Sequence, residues 1–250
     1  KEITSKTKNA LTKAMQNGAI VILASGRPTS GVVHLADELE LEKYNSYILP
    51  FNGGKVINCK TKETVIEYTM NGKVISDLYD FAKERNINIV TYQDDCLVSE
   101  NTEEKYATIE ANVCRLIPKK IDNFKEYVNF PVTKCLMMAD GDYLANFVNE
   151  ASEKFSNQLT VFRSEPYFLE FMPKGIDKAT SLDNLLKKLN LTKEELICCG
   201  DGYNDISMID YAGLGVAMEN AREEVKAVAN IIAGHNDEDG LVPIIEEYLL

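Results

Sequence analysis

Ile197-Cys198-Cys199-Gly200-Asp201-Gly202-Tyr203-Asn204-Asp205 is the stretch whose reading decides the fold. Its first three residues read as a short buried strand, and residues 206–211 read as the opening turns of a helix. Two carboxylates and a carboxamide therefore sit on a glycine-flanked turn at the carboxyl end of a strand. In open α/β sheets that edge is where ligands bind. Carboxylate and carboxamide oxygens are hard ligands suited to Mg²⁺. A plainer reading competes: Asp-Gly is a common turn pair, and Asn204 or Asp205 could simply cap a helix.

Outward from this turn, the pattern is one of alternating helices and strands. Residues 7–17 have helix spacing, with Thr4, Ser5 or Thr7 as a cap and Asn17-Gly18 as a stop. Residues 19–24 form a continuous apolar run, as in a parallel strand covered on both faces. A helix over 30–39 and a strand over 47–51 follow, broken by Asn52-Gly53-Gly54. The rhythm returns after Pro173. Helices are expected at 182–189, 206–212, 221–229 and 239–250, and strands at 196–199, 214–218 and 230–233. This predicts an α/β core with a doubly wound (Rossmann-like) parallel sheet. Between the two halves the pattern changes to strands at 63–68, 87–92, 96–99, 132–139, 160–163 and 168–171, with helices at 73–85 and 143–155. That middle third reads as an inserted α+β module. The expected division is 1–59 and 173–250 for the core, with 60–172 for the insert.

Composition narrows the function classes. The 250 residues carry a formal net charge of −12, which argues against nucleic acid or an anionic membrane as partner. A small phosphorylated molecule needs only a local positive site and remains compatible. The six cysteines include no CxxC pair and read as buried free thiols. No signal peptide or apolar run of about 20 residues is seen, so a cytoplasmic setting is the default expectation. The two histidines have no evident partners, which argues against a histidine-based triad.

Three further places could carry chemistry. Ser25-Gly26-Arg27-Pro28 follows the 19–24 strand and offers a hydroxyl, a glycine amide and a guanidinium. In Lys174-Gly175-Ile176-Asp177-Lys178, Asp177 could cap the next helix and put Lys178 in its first turn. A cation is unfavourable there unless an anion binds beside it; a solvated lysine is the plainer reading. The glycines of Asn52-Gly53-Gly54 could let backbone approach a ligand. A hydroxyl loop, a lysine and an acidic turn are together what a Mg²⁺-dependent phosphate site requires.

Leu23-Ala24-Ser25-Gly26-Arg27-Pro28, Lys174 to Lys178 and Gly200 to Asp205 resemble motifs two, three and four of the haloacid dehalogenase superfamily. More closely, they are similar to its Cof-type phosphatases. Asn52-Gly53-Gly54, Gly215-Val216-Ala217-Met218 with Asn220-Ala221, and residues 236–240 share that resemblance. It implies a Mg²⁺-dependent phosphatase of small phosphorylated metabolites, sugar phosphates foremost, working through an aspartyl-phosphate. It further implies that Asp201 holds Mg²⁺ and that Asp205 supports it from a second layer or through water. Ser25, the Gly26 amide and Lys178 would bind the phosphoryl oxygens, Asn204 would contact phosphate or metal-bound water, and Arg27 is a weaker candidate. The insert would be a cap that closes over the site. A monomer or weak homodimer is expected. A phosphomutase, or a phosphate-binding module without turnover, are the alternatives. One motif of the resemblance is missing: no Asp-x-Asp-Gly-Thr occurs, and Asp94-Asp95 and Asp140-Gly141-Asp142 lack its pattern. That motif, with the attacking aspartate, is expected upstream of Lys1, on a central strand between those ending at Ser25 and Cys199.

Overall fold

A computed structural model describes residues 2–250. The chain forms two compact units. One comprises the residues up to Gly26 with Val33–Ile66 and Asp177–Leu250; the other comprises Arg27–Val32 and Glu67–Ile176. In chain order the elements are α1 (Ser5–Gln16), β1 (Ile22–Ala24), α2 (Ser30–Glu38), β2 (Tyr47–Leu49), β3 (Lys55–Asn58) and β4 (Thr64–Glu67). Next come α3 (Lys73–Glu84), β5 (Asn88–Gln93), β6 (Cys96–Ser99), α4 (Lys105–Cys114), β7 (Ile117–Lys120) and α5 (Phe124–Tyr127). They are followed by β8 (Cys135–Met138), α6 (Gly141–Ala145), α7 (Val148–Phe155), β9 (Leu159–Glu165) and β10 (Phe168–Pro173). The chain closes with α8 (Lys178–Leu189), β11 (Ile197–Gly200), α9 (Ile206–Tyr211), β12 (Leu214–Ala217), α10 (Glu223–Lys226), β13 (Ile231–Ile232) and α11 (Val242–Leu249).

The first unit is α/β, as its sequence rhythm predicts. β1 and β2 are parallel, with Leu23 opposite Ile48. β11, β12 and β13 are also parallel, with Cys199 opposite Val216. The strand orders β1-β2-β3-β4 and β11-β12-β13 make β1 and β11 edge strands. The helix over 7–17 starts earlier than its apolar spacing shows, because the Thr4 hydroxyl accepts the Thr7 amide at 3.1 Å. Its apolar stripe packs Ala10 and Ala14 against Val242 and Ile245 of α11. Two expectations need correction. The 63–68 strand is not part of the middle module's sheet; it hairpins back beside β3, itself an unforeseen strand. The helix over 221–229 is only one turn, α10.

The second unit is a six-stranded sheet of order β7-β6-β5-β8-β10-β9. Its core joins α3 and α7 to one face of that sheet through Leu78, Phe81, Ile89, Val98, Met137, Phe155, Leu169 and Phe171. Phe155 is the pivot, edge-on to Phe81 at 5.6 Å and to Phe171 at 5.7 Å. The expected 143–155 helix breaks into α6 and α7. The Asn146 side chain turns back onto the Asp142 and Tyr143 carbonyls, each at 3.2 Å, a local bond that competes with helix continuation. Residues 101–131, which sequence periodicity leaves unassigned, hold α4, β7 and α5. Pro118 sits in β7, and that strand is at the sheet edge, where a missing amide does little harm.

All six cysteines are free thiols, and burial pushes Cys198 and Cys199 up to about 12. Among the described residues no helix is long and apolar enough to cross a membrane.

Candidate active site

The carboxyl ends of β1, β2 and β11 and the start of α8 bring most of the singled-out residues together. β1 ends at Ala24, and the Ser25 amide donates to the Leu49 carbonyl at 2.9 Å. The Ser25 carbonyl in turn accepts the Asn52 amide at 2.9 Å, so the Ser25-Gly26 loop runs beside the turn that ends β2. A Cβ at Gly26 would lie 3.0 Å from Asn52 Oδ1, so a larger residue there would press on the Asn52 side chain.

Lys178 opens α8, whose cap is Asp177: its Oδ1 accepts the Thr180 amide at 2.8 Å. The plainer reading of Lys178 as a solvated side chain is wrong. It is only 3 % exposed. Its Nζ donates to Asp205 Oδ1 at 2.5 Å and to the Ala24 carbonyl at 3.3 Å. One ammonium thereby ties the end of β1 to the acidic turn.

Asp205 is 7 % exposed, and both of its oxygens are engaged by the protein. Oδ1 takes Lys178, while Oδ2 accepts the amides of Asp201 and Gly202 at 3.1 and 2.9 Å. A Cβ at Gly200 would come within 2.5 Å of the Asp205 side chain, so the turn can close this tightly only on glycine. Asp201 points elsewhere. Its Oδ2 accepts Asn220 Nδ2 at 3.0 Å, and Asn220 Oδ1 accepts the Asn236 amide at 3.2 Å. The loops after β12 and β13 thus orient the Asp201 carboxylate. Asn204 Nδ2 donates to Asn52 Oδ1 at 2.8 Å.

Ser25, Gly26, Lys178, Asp201, Asn204 and Asp205 are therefore linked within one unit. Arg27 is set apart, opening the Arg27–Val32 segment that groups with the second unit. Two side chains escaped the sequence reading. In the sequence, Asn52 stands out only through the glycines after it, and Asn220 only through the family resemblance. The signal for both is an Asn three residues past the end of a buried strand. Among the described residues no three or more His, Cys, Asp or Glu side chains gather as a ready metal cage.

By its fold and by the family it matches, this chain is a phosphoric monoester hydrolase of the haloacid dehalogenase type. The chain belongs to the haloacid dehalogenase-like hydrolase family, which it matches over residues 1–245. It is similar to the 5-amino-6-(5-phospho-D-ribitylamino)uracil phosphatase YcsE of Bacillus subtilis, 29 % identical over 251 residues, covering 99 % of this chain and 89 % of that protein. A haloacid dehalogenase-like hydrolase from Bacteroides thetaiotaomicron superposes with a TM-score of 0.93 at 42 % identity, covering 98 % of this chain and 92 % of the other. TM0651 from Thermotoga maritima follows at a TM-score of 0.88 and 29 % identity, with 98 % and 91 % covered.

Proposed function

We propose that this phosphatase is Mg²⁺-dependent and hydrolyses small phosphorylated metabolites, sugar phosphates foremost, at the cluster around Lys178. The observation that carries the reading is the buried Lys178 ammonium bridging the Ala24 carbonyl and Asp205. The buried lysine, bonded to the Ala24 carbonyl at the start of the Ser25-Gly26 loop, would form with the Ser25 hydroxyl and the Gly26 amide a receptor for a dianionic phosphoryl group. Phosphoryl transfer is accelerated mainly by positioning and charge neutralisation, which these groups supply. Asn204 contacts the phosphate or a water beside it.

The donor set fits Mg²⁺, which is usually held by one or two carboxylates together with waters and substrate phosphate. Asp201 would hold it directly, since Asn220 engages only one of its oxygens. Asp205, with both oxygens turned to protein donors, supports the site through the Asp201 turn and through water. When bound, the metal supplies charge neutralisation at the transferring phosphoryl group. The reaction would run through an aspartyl-phosphate, an acyl phosphate that water then hydrolyses. The substrate class is supported by YcsE, named for a substrate whose phosphate sits on a ribityl chain, a sugar alcohol.

Phosphate release from a panel of phosphorylated sugars and polyols, with Mg²⁺ and with chelator, tests the proposal. Release that needs Mg²⁺ supports it. A phosphorylated isomer as the main product instead would make the protein a mutase.

A further inference from the structure

We propose that Asn52 is a positioning residue of the phosphate site, acting by holding the Asn204 carboxamide and the Ser25-Gly26 loop in register. The inference rests on the functional reading above and adds to it a residue that touches neither phosphate nor metal there.

The backbone gives the first indication. Phe51, Asn52 and Gly53 all have positive φ, at 54°, 51° and 94°. Two successive non-glycine residues in the left-handed region, one of them a buried Phe, are disfavoured by Cβ sterics. Such strain persists where surrounding structure over-determines it, and it concentrates at functional sites. A simple exit from β2 into β3 does not require it.

The contacts show what the strained turn achieves. The Asn52 amide donates to the Ser25 carbonyl, and its side chain lies against Gly26. Asn52 Oδ1 accepts from Asn204 Nδ2 at 2.8 Å. The next residue is wedged: a Cβ on Gly53 would lie 2.5 Å from the Asp177 carbonyl and 2.7 Å from Ser181 Oγ. Ser181 Oγ also donates to the Gly53 carbonyl at 2.5 Å. Asp177 is the residue before Lys178. One three-residue turn therefore touches the hydroxyl loop, the start of the lysine helix and the acidic turn.

The consequence is preorganisation. With its nitrogen held by Asn52, the Asn204 amide keeps its oxygen on the Gly202 side of the turn, 2.7 Å from where a Gly202 Cβ would stand. Asn204 is then set before a ligand arrives, and misplacement by about 1 Å at such a site can lower a rate about 100-fold.

The test is a mutant cycle in the intact protein with Mg²⁺, using p-nitrophenyl phosphate as substrate and inorganic phosphate as inhibitor. Asn52→Gly keeps the left-handed backbone and removes the side chain. The expected result is a fall in kcat/KM of about 10–100-fold, mostly in kcat, with an unchanged melting temperature. Because the Asn52 side chain acts through Asn204, while its backbone amide, kept in Asn52→Gly, holds the Ser25 carbonyl, the Asn52→Gly/Asn204→Ala double variant is expected to be no slower than Asn204→Ala alone. A merely structural role would move the melting temperature and multiply the two losses, and that result overturns the inference. So does an Asn52→Gly variant with wild-type kcat/KM in an active protein. A wild-type protein that releases no phosphate overturns the functional reading, and this inference with it. Should Asn52→Gly not fold, Asn52→Asp places a charge beside the Ser25-Gly26 loop; phosphate inhibition weakened at least tenfold supports the inference, and unchanged inhibition overturns it.

Discussion

Lys178 Nζ and Asp205 Oδ1 are 2.5 Å apart, with side chains 4 % and 9 % exposed. Each is stranded without the other, since a buried charge that loses its partner keeps its desolvation penalty. Lys178→Met is expected to destabilise the protein by about 3–5 kcal/mol, read by denaturant unfolding. Adding Asp205→Asn removes the orphaned charge while keeping an oxygen for the Asp201 and Gly202 amides. The double variant is expected to regain most of the lost stability and none of the phosphatase activity. Regained activity would remove Lys178 from the phosphate site.

Gly200 makes a steric prediction. A methyl there must displace Asp205, the residue on which the whole acidic turn closes. Gly200→Ala is expected to cost about 1–3 kcal/mol and to reduce kcat far more than that destabilisation implies at a temperature where the variant is folded. A variant with normal kcat would show that the turn tolerates being opened.

In the second unit Lys134 and Glu170 form a buried ion pair at 3.4 Å. Burial alone would lower the Lys134 pKa, but the carboxylates of Glu170 and Glu110 outweigh it and hold it above its ordinary value. Lys134→Met leaves Glu170 buried and unpaired, with an expected loss of about 3–5 kcal/mol in unfolding free energy. A loss under 1 kcal/mol would mean that Glu170 finds another partner or protonates.

Glu100 sets part of the acid response. Burial pushes its carboxyl up, yet hydrogen bonds from Lys83, the Phe124 amide and Tyr79 prevail and hold it below the ordinary 4.5. A carboxyl with a depressed folded-state pKa contributes stability above its unfolded value and loses it as pH falls through the folded one. Glu100→Gln is therefore expected to cost about 1–2 kcal/mol at neutral pH, with the gap to wild type closing below pH 4.5. A gap that stays constant from pH 7 to 3 would contradict this.

How much of this was legible follows from what each feature depends on. β2 is buried along its whole length and shows as an apolar run, while α1 and α8 announce themselves by spacing and caps. Local chemistry sufficed there. α4 was not legible: its cap is Glu104, which accepts the Tyr106 and Ala107 amides and is an unusual capping residue. The break between α6 and α7 depends on one Asn side chain turning back onto its own helix's carbonyls. In the site, Asp201, Asp205 and Lys178 stood out by type and spacing. The burial of Lys178, and the links from Asn52 to Asn204 and from Asn220 to Asp201, join residues 152 and 19 positions apart, and only the fold brings them together.

On the function proposed above, Asp201 holds the catalytic Mg²⁺ beside a phosphate bound by Lys178 and Ser25. The most direct measurement is phosphate release against Mg²⁺ concentration in the intact wild-type protein and in Asp201→Ala. Saturable Mg²⁺ activation is expected in the wild type, and in the variant no activation at any concentration with an unchanged melting temperature. Wild-type turnover that persists in chelator, or an Asp201→Ala variant with the wild-type Mg²⁺ response, would contradict it.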